Sequence, residues 1–150
     1  MRKVTLGTTI AYGMPGLGAG YMYLLMSLYV MKFSTDVLLI APAVMGVIFS
    51  ISRIWDAVSD PIAGYLSDRT TFKFGRRRTW MLISFIPISF GFLAVFSPPE
   101  SMQGQSLDLW MMIAILSFYS AITLLNVPHM ALGAELSEDY HERTRLFGVR

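Results

Sequence analysis

The stretch RIWDAVSDPIAGYLSD, Arg53 to Asp68, sets an arginine and three aspartates among Ile, Trp, Ala, Val, Leu and Pro. Arg53, Asp56 and Asp60 fall at i, i+3 and i+7, which on a helix is one face. The carboxylates of Asp56 and Asp60 then sit about 6 Å apart along the axis. Each costs at least about 2.5–3.5 kcal/mol inside a bilayer. The two also repel one another, so they must face protein or water with something cationic beside them. Arg53 is one candidate. A bound Na⁺ is another, because a hard cation takes several oxygen ligands. A proton is the third, because two close carboxylates do not readily ionise together. A salt bridge between Arg53 and Asp56 is the plainer alternative, but it leaves Asp60 without a cause.

A second polar face lies further along. Tyr119, Thr123 and Asn126 fall at i, i+4 and i+7, and their oxygens can complete a site across a helix interface. Ordinary interhelical hydrogen bonding is the competing explanation. Pro128 has no N–H, so it frees the carbonyl of Leu124 as one more oxygen. His129 can titrate, or can simply be a packed polar residue.

Long apolar helices must position these faces. Of the 150 residues 54% are hydrophobic and only 15% are charged, against about 25% in soluble domains. The formal net charge of +2 gives no reason to expect nucleic acid, and the absence of cysteine excludes disulfides and thiolate metal sites. A membrane span needs about 20 mostly apolar residues. Four segments qualify: 6–31, 38–66, 80–96 and 109–132. The fold class expected is all-α, a polytopic transmembrane helical protein. The first segment holds Gly7, Gly13, Gly16, Gly18, Gly20 and Pro15, so close packing or a kink is expected there. It is also too long for a signal-peptide core and lacks a small-residue cleavage site.

Basic residues near span ends set orientation. Arg2 and Lys3 precede the first span, Arg69, Lys73, Arg76, Arg77 and Arg78 follow the second, and Arg143, Arg145 and Arg150 follow the fourth. The first outer loop has only Lys32, and SPPESMQGQSLD, Ser97 to Asp108, has no basic residue. Both termini and the basic loop are therefore expected in the cytoplasm. That loop, GYLSDRTTFKFGRRRTW, also combines Gly64, Asp68, Arg69, Arg76 and Arg77. Retention of positive charge explains a basic loop by itself. A cytoplasmic gate is the functional alternative, with Asp68 pairing to arginines in one conformation and releasing them in another. The tail GAELSEDYHERTRLFGVR interleaves acids and bases, as a cytoplasmic amphipathic segment that can pair with the same arginines.

Together, RIWDAVSDPIAGYLSDRTTFKFGRRRTW and NVPHMALGAELSEDYHERTR resemble the glycoside–pentoside–hexuronide:cation symporters of the major facilitator superfamily. The resemblance runs from Tyr12 and Gly13 to the tail. It implies a transporter of about twelve spans in two halves, working by alternating access. Asp56 and Asp60 would then hold the coupling Na⁺, Li⁺ or H⁺. Thr123 matches a cation-ligating threonine of melibiose-type members, and Ser59 stands where those members carry an asparagine. Asn126, Arg53 and Tyr119 would face the substrate. Melibiose-type members carry a lysine–aspartate pair where this chain has Ala19 and Gly20, and a sugar-binding aspartate at Asn126. A different sugar substrate is therefore implied: a glycoside, a pentoside or a uronide, the last favoured by the loss of two acids. No cofactor beyond the cation is implied, and no catalytic residue.

Four spans are the front third of such a transporter, so the chain reads as an N-terminal fragment that inserts without transporting. The expected location is the cell membrane, the inner one in a Gram-negative cell. Two other readings compete. A four-span accessory protein fits the length but gives the acidic pair no role. A membrane-embedded Mg²⁺-dependent transferase would need aspartates with two residues between them, whereas Asp56 and Asp60 have three.

Overall fold

Threonine, proline and glycine mark where the helices begin. The structure, a computed structural model, describes residues 5–136 and 140–149, and among these there is no strand. Thr5 caps α1, Leu6–Lys32, by accepting from the Thr8 N–H at 3.3 Å. The helix passes unbroken through Pro15. It widens into a π-helical turn over Phe33–Val37 and stops where Leu39 takes φ 57. Pro42, which has no N–H to leave unsatisfied, opens α2, Pro42–Arg69. Gly75, at φ 102, precedes α3, Arg76–Phe96, and Gly104, at φ 60, precedes α4, Gln105–Leu136. The tail forms α5, Tyr140–Val149.

The helices follow the expected spans with shifted ends. The second begins at Pro42 rather than Leu38, because the π-helical turn and the positive φ of Leu39 occupy the intervening residues. The third begins at Arg76 rather than Trp80, and the fourth extends past both expected ends. Helical hydrogen bonding continues beyond the apolar stretch that betrays a span in sequence. At about 1.5 Å per residue, the long helices span roughly 30–50 Å, against a hydrocarbon core of about 30 Å. Two of them, α3 and α4, are long and apolar enough to cross a membrane on composition as well. In α2 the charges of Arg53, Asp56 and Asp60 dilute the hydropathy, and in α1 the glycines and hydroxyls do. Arg2, Lys3 and Arg150 lie outside the described residues, as do the side chains of Arg143 and Arg145.

The core forms around α4. Met111, Ile115, Phe118 and Leu125 of α4 are fully buried, and α3 sets Ile88 and Val95 against them. The approach is close because Gly91 has no side chain: a Cβ there would lie 2.9 Å from Phe118 Cα. Gly91→Leu is expected to push α3 from α4 and destabilise the bundle by about 1–3 kcal/mol. A thermal melt of the detergent-solubilised protein measures this, and an unchanged midpoint would mean that the helices do not meet at Gly91. Between α2 and α4, Trp55 Nε1 donates to Ser120 Oγ at 2.7 Å. Along α1, Leu6, Ile10, Met14, Leu17, Tyr21, Leu24 and Leu28 form an apolar stripe, each residue more than half exposed.

Candidate functional site

The i, i+3, i+7 face of α2 turns toward α4 and α1. Asp60 meets α4 directly: Thr123 Oγ1 donates to Asp60 Oδ1 at 3.1 Å. One turn earlier, Arg53 Nη1 donates to Asp56 Oδ2 at 3.2 Å. The other oxygen, Asp56 Oδ1, is buried and makes no hydrogen bond among the described residues. A buried carboxylate oxygen left without a donor is costly unless a cation or proton takes it. A cavity of about 280 Å³ opens here, with Arg53, Asp56, Asp60, Tyr119, Thr123 and Asn126 in its wall.

Two tyrosines shape the cavity around Arg53. The guanidinium carbon lies 5.2 Å from the centre of the Tyr119 ring and 6.0 Å from that of Tyr23. The rings themselves meet edge to face at 5.9 Å. Tyr23 comes from α1 and was not among the residues expected from sequence. It lies three and four residues beyond Gly20 and Ala19, a helical spacing that could have pointed to it. A second cavity, of about 300 Å³, is lined by Gly16, Ala19, Gly20, Tyr23 and Asn126. Tyr23 and Asn126 border both, so the polar space runs from the acidic pair toward α1.

Ser59 differs from its expected place. Its hydroxyl donates to the Asp56 carbonyl of its own helix at 3.3 Å, and it does not line the cavity. Asp56, Asp60 and Thr123 line the same cavity, and no three of His, Cys, Asp and Glu come together among the described residues. Such a set suits a monovalent cation or a proton better than a divalent metal, which seeks more carboxylate charge.

His129 joins α1 to α4. It is fully buried, its Nε2 lies 2.7 Å from the Tyr12 carbonyl oxygen, and the Tyr12 hydroxyl donates to the His129 carbonyl at 3.0 Å. Gly133, one turn on, leaves the space that the Tyr12 hydroxyl fills. The packed role named in the sequence is the one this geometry describes.

At the basic loop, Arg77 is nearly buried and bridges two acids. Its Nη2 lies 3.1 Å from Asp68 Oδ1 and 2.8 Å from Glu135 Oε1 of α4. Arg76 reaches the same Glu135 at 3.2 Å and donates to the Asp68 carbonyl at 3.2 Å. Arg69 stands apart and stacks on Tyr65 at 4.4 Å. Gly64 lies on the α2–α4 contact, where a Cβ would be an ordinary 3.6 Å from Val127 Cγ1. Of the five expected gate residues, Asp68, Arg76 and Arg77 thus form one cluster, with Glu135 added, and Gly64 and Arg69 lie outside it.

Comparison with known proteins places this geometry in context. The family model described as MFS/sugar transport protein matches residues 11–150. An uncharacterized symporter of Synechocystis sp. is 36% identical over 99% of this chain and 28% of its own length. A protein of Escherichia coli provisionally named a glycoside/cation symporter is 32% identical over 97% of this chain and 32% of its own length. A sodium-dependent lysophosphatidylcholine symporter of Danio rerio is 28% identical over 95% of this chain and 26% of its own length. The chain therefore spans about a third or less of these relatives.

Proposed function

The chain belongs to the MFS/sugar transport protein family, a family of membrane transporters and not of enzymes, and from that premise we propose that it supplies the first four spans of a cation-coupled symporter for a sugar or sugar derivative. The activity belongs to the longer protein whose N-terminal third these residues would form, and these spans alone do not transport. Asp56, Asp60 and Thr123 bind the coupling Na⁺, Li⁺ or H⁺, and Asn126, Arg53 and Tyr119 face the substrate. The observation that carries this reading is the buried, unpartnered Asp56 Oδ1 beside the Asp60–Thr123 contact. Both termini and the arginine loop lie in the cytoplasm, and the exposed apolar stripe of α1 meets lipid or later helices. Asp68, Arg76, Arg77 and Glu135 act as the cytoplasmic gate.

A panel of labelled glycosides, pentosides and uronides tests the reading in cells making the complete protein. Uptake of one class is expected to rise with external Na⁺, Li⁺ or acid. Uptake of every class at the same rate under all three conditions would contradict it. Thr123→Ala is expected to weaken the cation dependence by about tenfold, since a hydrogen bond to a charged group contributes roughly 1.5 kcal/mol. Thr123→Ser should restore most of it. Equal half-saturation by the coupling cation in Thr123→Ala and in the unaltered protein would remove Thr123 from the site.

A further inference from the structure

The contact between Arg53 and Asp56 is weaker than an arginine and a carboxylate one turn apart can make. Only Nη1 reaches Asp56, and only Oδ2, at 3.2 Å. Bidentate pairing through two parallel N–H···O bonds is the stronger arrangement. The guanidinium instead sits in the corner between two ring faces, 5.2 Å from Tyr119 and 6.0 Å from Tyr23. The rings come from α4 and α1, while Arg53 and Asp56 share α2. Cation–π attraction fades beyond about 6 Å, so the Tyr119 ring lies within reach of this charge and the Tyr23 ring at the edge of it.

We infer that Tyr23 and Tyr119 are positioning residues that hold Arg53 back from a bidentate grip on Asp56 and so keep Asp56 available to the coupling cation. The inference rests on the proposed cation site. An arriving cation must share Asp56 with Arg53. A guanidinium resting against two rings gives up that carboxylate without losing every partner. Without the rings, Arg53 can turn fully onto Asp56 and compete with the cation. Because Tyr23 belongs to α1, the device also ties that helix to the occupancy of the acidic pair.

The test is direct titration of the purified complete protein with Na⁺, with Li⁺ and with acid, following heat of binding or proton uptake, so that transport is not needed. Tyr23→Leu and Tyr119→Leu are each expected to weaken cation binding roughly three- to tenfold. Tyr23→Phe keeps the ring and should bind the cation more tightly than Tyr23→Leu does. In an Arg53→Gln background, removal of either ring should have no further effect, which a merely structural role would not produce. Tyr119 is fully buried and its leucine variant can fail to fold; half-buried Tyr23 then carries the test alone. Unchanged or tighter binding in Tyr23→Leu overturns the inference, as does a phenylalanine variant as impaired as the leucine one. If the unaltered protein binds none of the three cations, the cation site itself fails and the inference falls with it.

Discussion

Asp60→Asn is expected to abolish uphill, cation-coupled uptake by the complete protein while leaving membrane insertion intact. The amide oxygen can still accept the Thr123 hydroxyl, which now reaches Asp60 Oδ1 at 3.1 Å, so the α2–α4 contact survives. What disappears is one of the two negative charges that offset a bound cation. Removing a charged partner from such a site costs on the order of 3 kcal/mol, or about a hundredfold in cation affinity. Asp56→Asn should abolish uptake as well, with an added defect. It leaves Arg53 without its carboxylate, so protein yield is expected to fall further than for Asp60→Asn. Initial rates and steady-state accumulation in cells, normalised to membrane-inserted protein, measure both effects. Retained concentrative uptake in both variants would sink the cation-site reading.

Arg77→Ala is expected to cut the transport rate at least about tenfold with little change in substrate affinity. Arg77 is the bridge of the cytoplasmic cluster, with its side chain only 13% exposed against 57% for Asp68 and 47% for Glu135. Its loss leaves two acids facing each other with Arg76 alone to offset them. On the proposed gating role, a cluster that forms and releases in each cycle is weakened, which slows turnover and spares the substrate site. Arg77→Lys should recover part of the rate, because a lysine keeps the charge but cannot fork between two carboxylates. Initial rates over a range of substrate concentrations separate rate from affinity. A normal rate in Arg77→Ala would reduce the cluster to a signal for membrane orientation.

Much of the arrangement was legible in sequence because helical spacing is itself geometry. Arg53, Asp56 and Asp60 had to share a face, and so did Tyr119, Thr123 and Asn126. That the two faces meet, through Thr123 and Asp60, follows from the expense of leaving carboxylates in an apolar interface. Three features were hidden. Tyr23 looked like one more aromatic residue on a greasy helix, and its role depends on how α1 crosses α2 and α4. The exchange of hydrogen bonds between Tyr12 and His129 joins residues 117 positions apart, a pairing that no local pattern encodes. Ser59 lies three residues from Asp56, but its hydroxyl bonds back to its own helix, a choice that spacing alone does not reveal. The helix ends were misplaced for a different reason. Hydropathy marks the greasy stretch, whereas hydrogen bonding and local backbone chemistry decide where a helix begins, as Pro42 and Gly75 do here.

Symport is the central claim, and substrate-driven cation movement tests it most directly. The complete protein is placed in liposomes with a Na⁺- or pH-sensitive dye inside and no gradient of any ion. The transported sugar, identified from the uptake panel, is then added outside. The expected result is entry of Na⁺, Li⁺ or H⁺ together with the sugar, absent in liposomes carrying Asp60→Asn. Sugar entry with no movement of any of the three cations would contradict coupling and leave the acidic pair of α2 as a structural feature only.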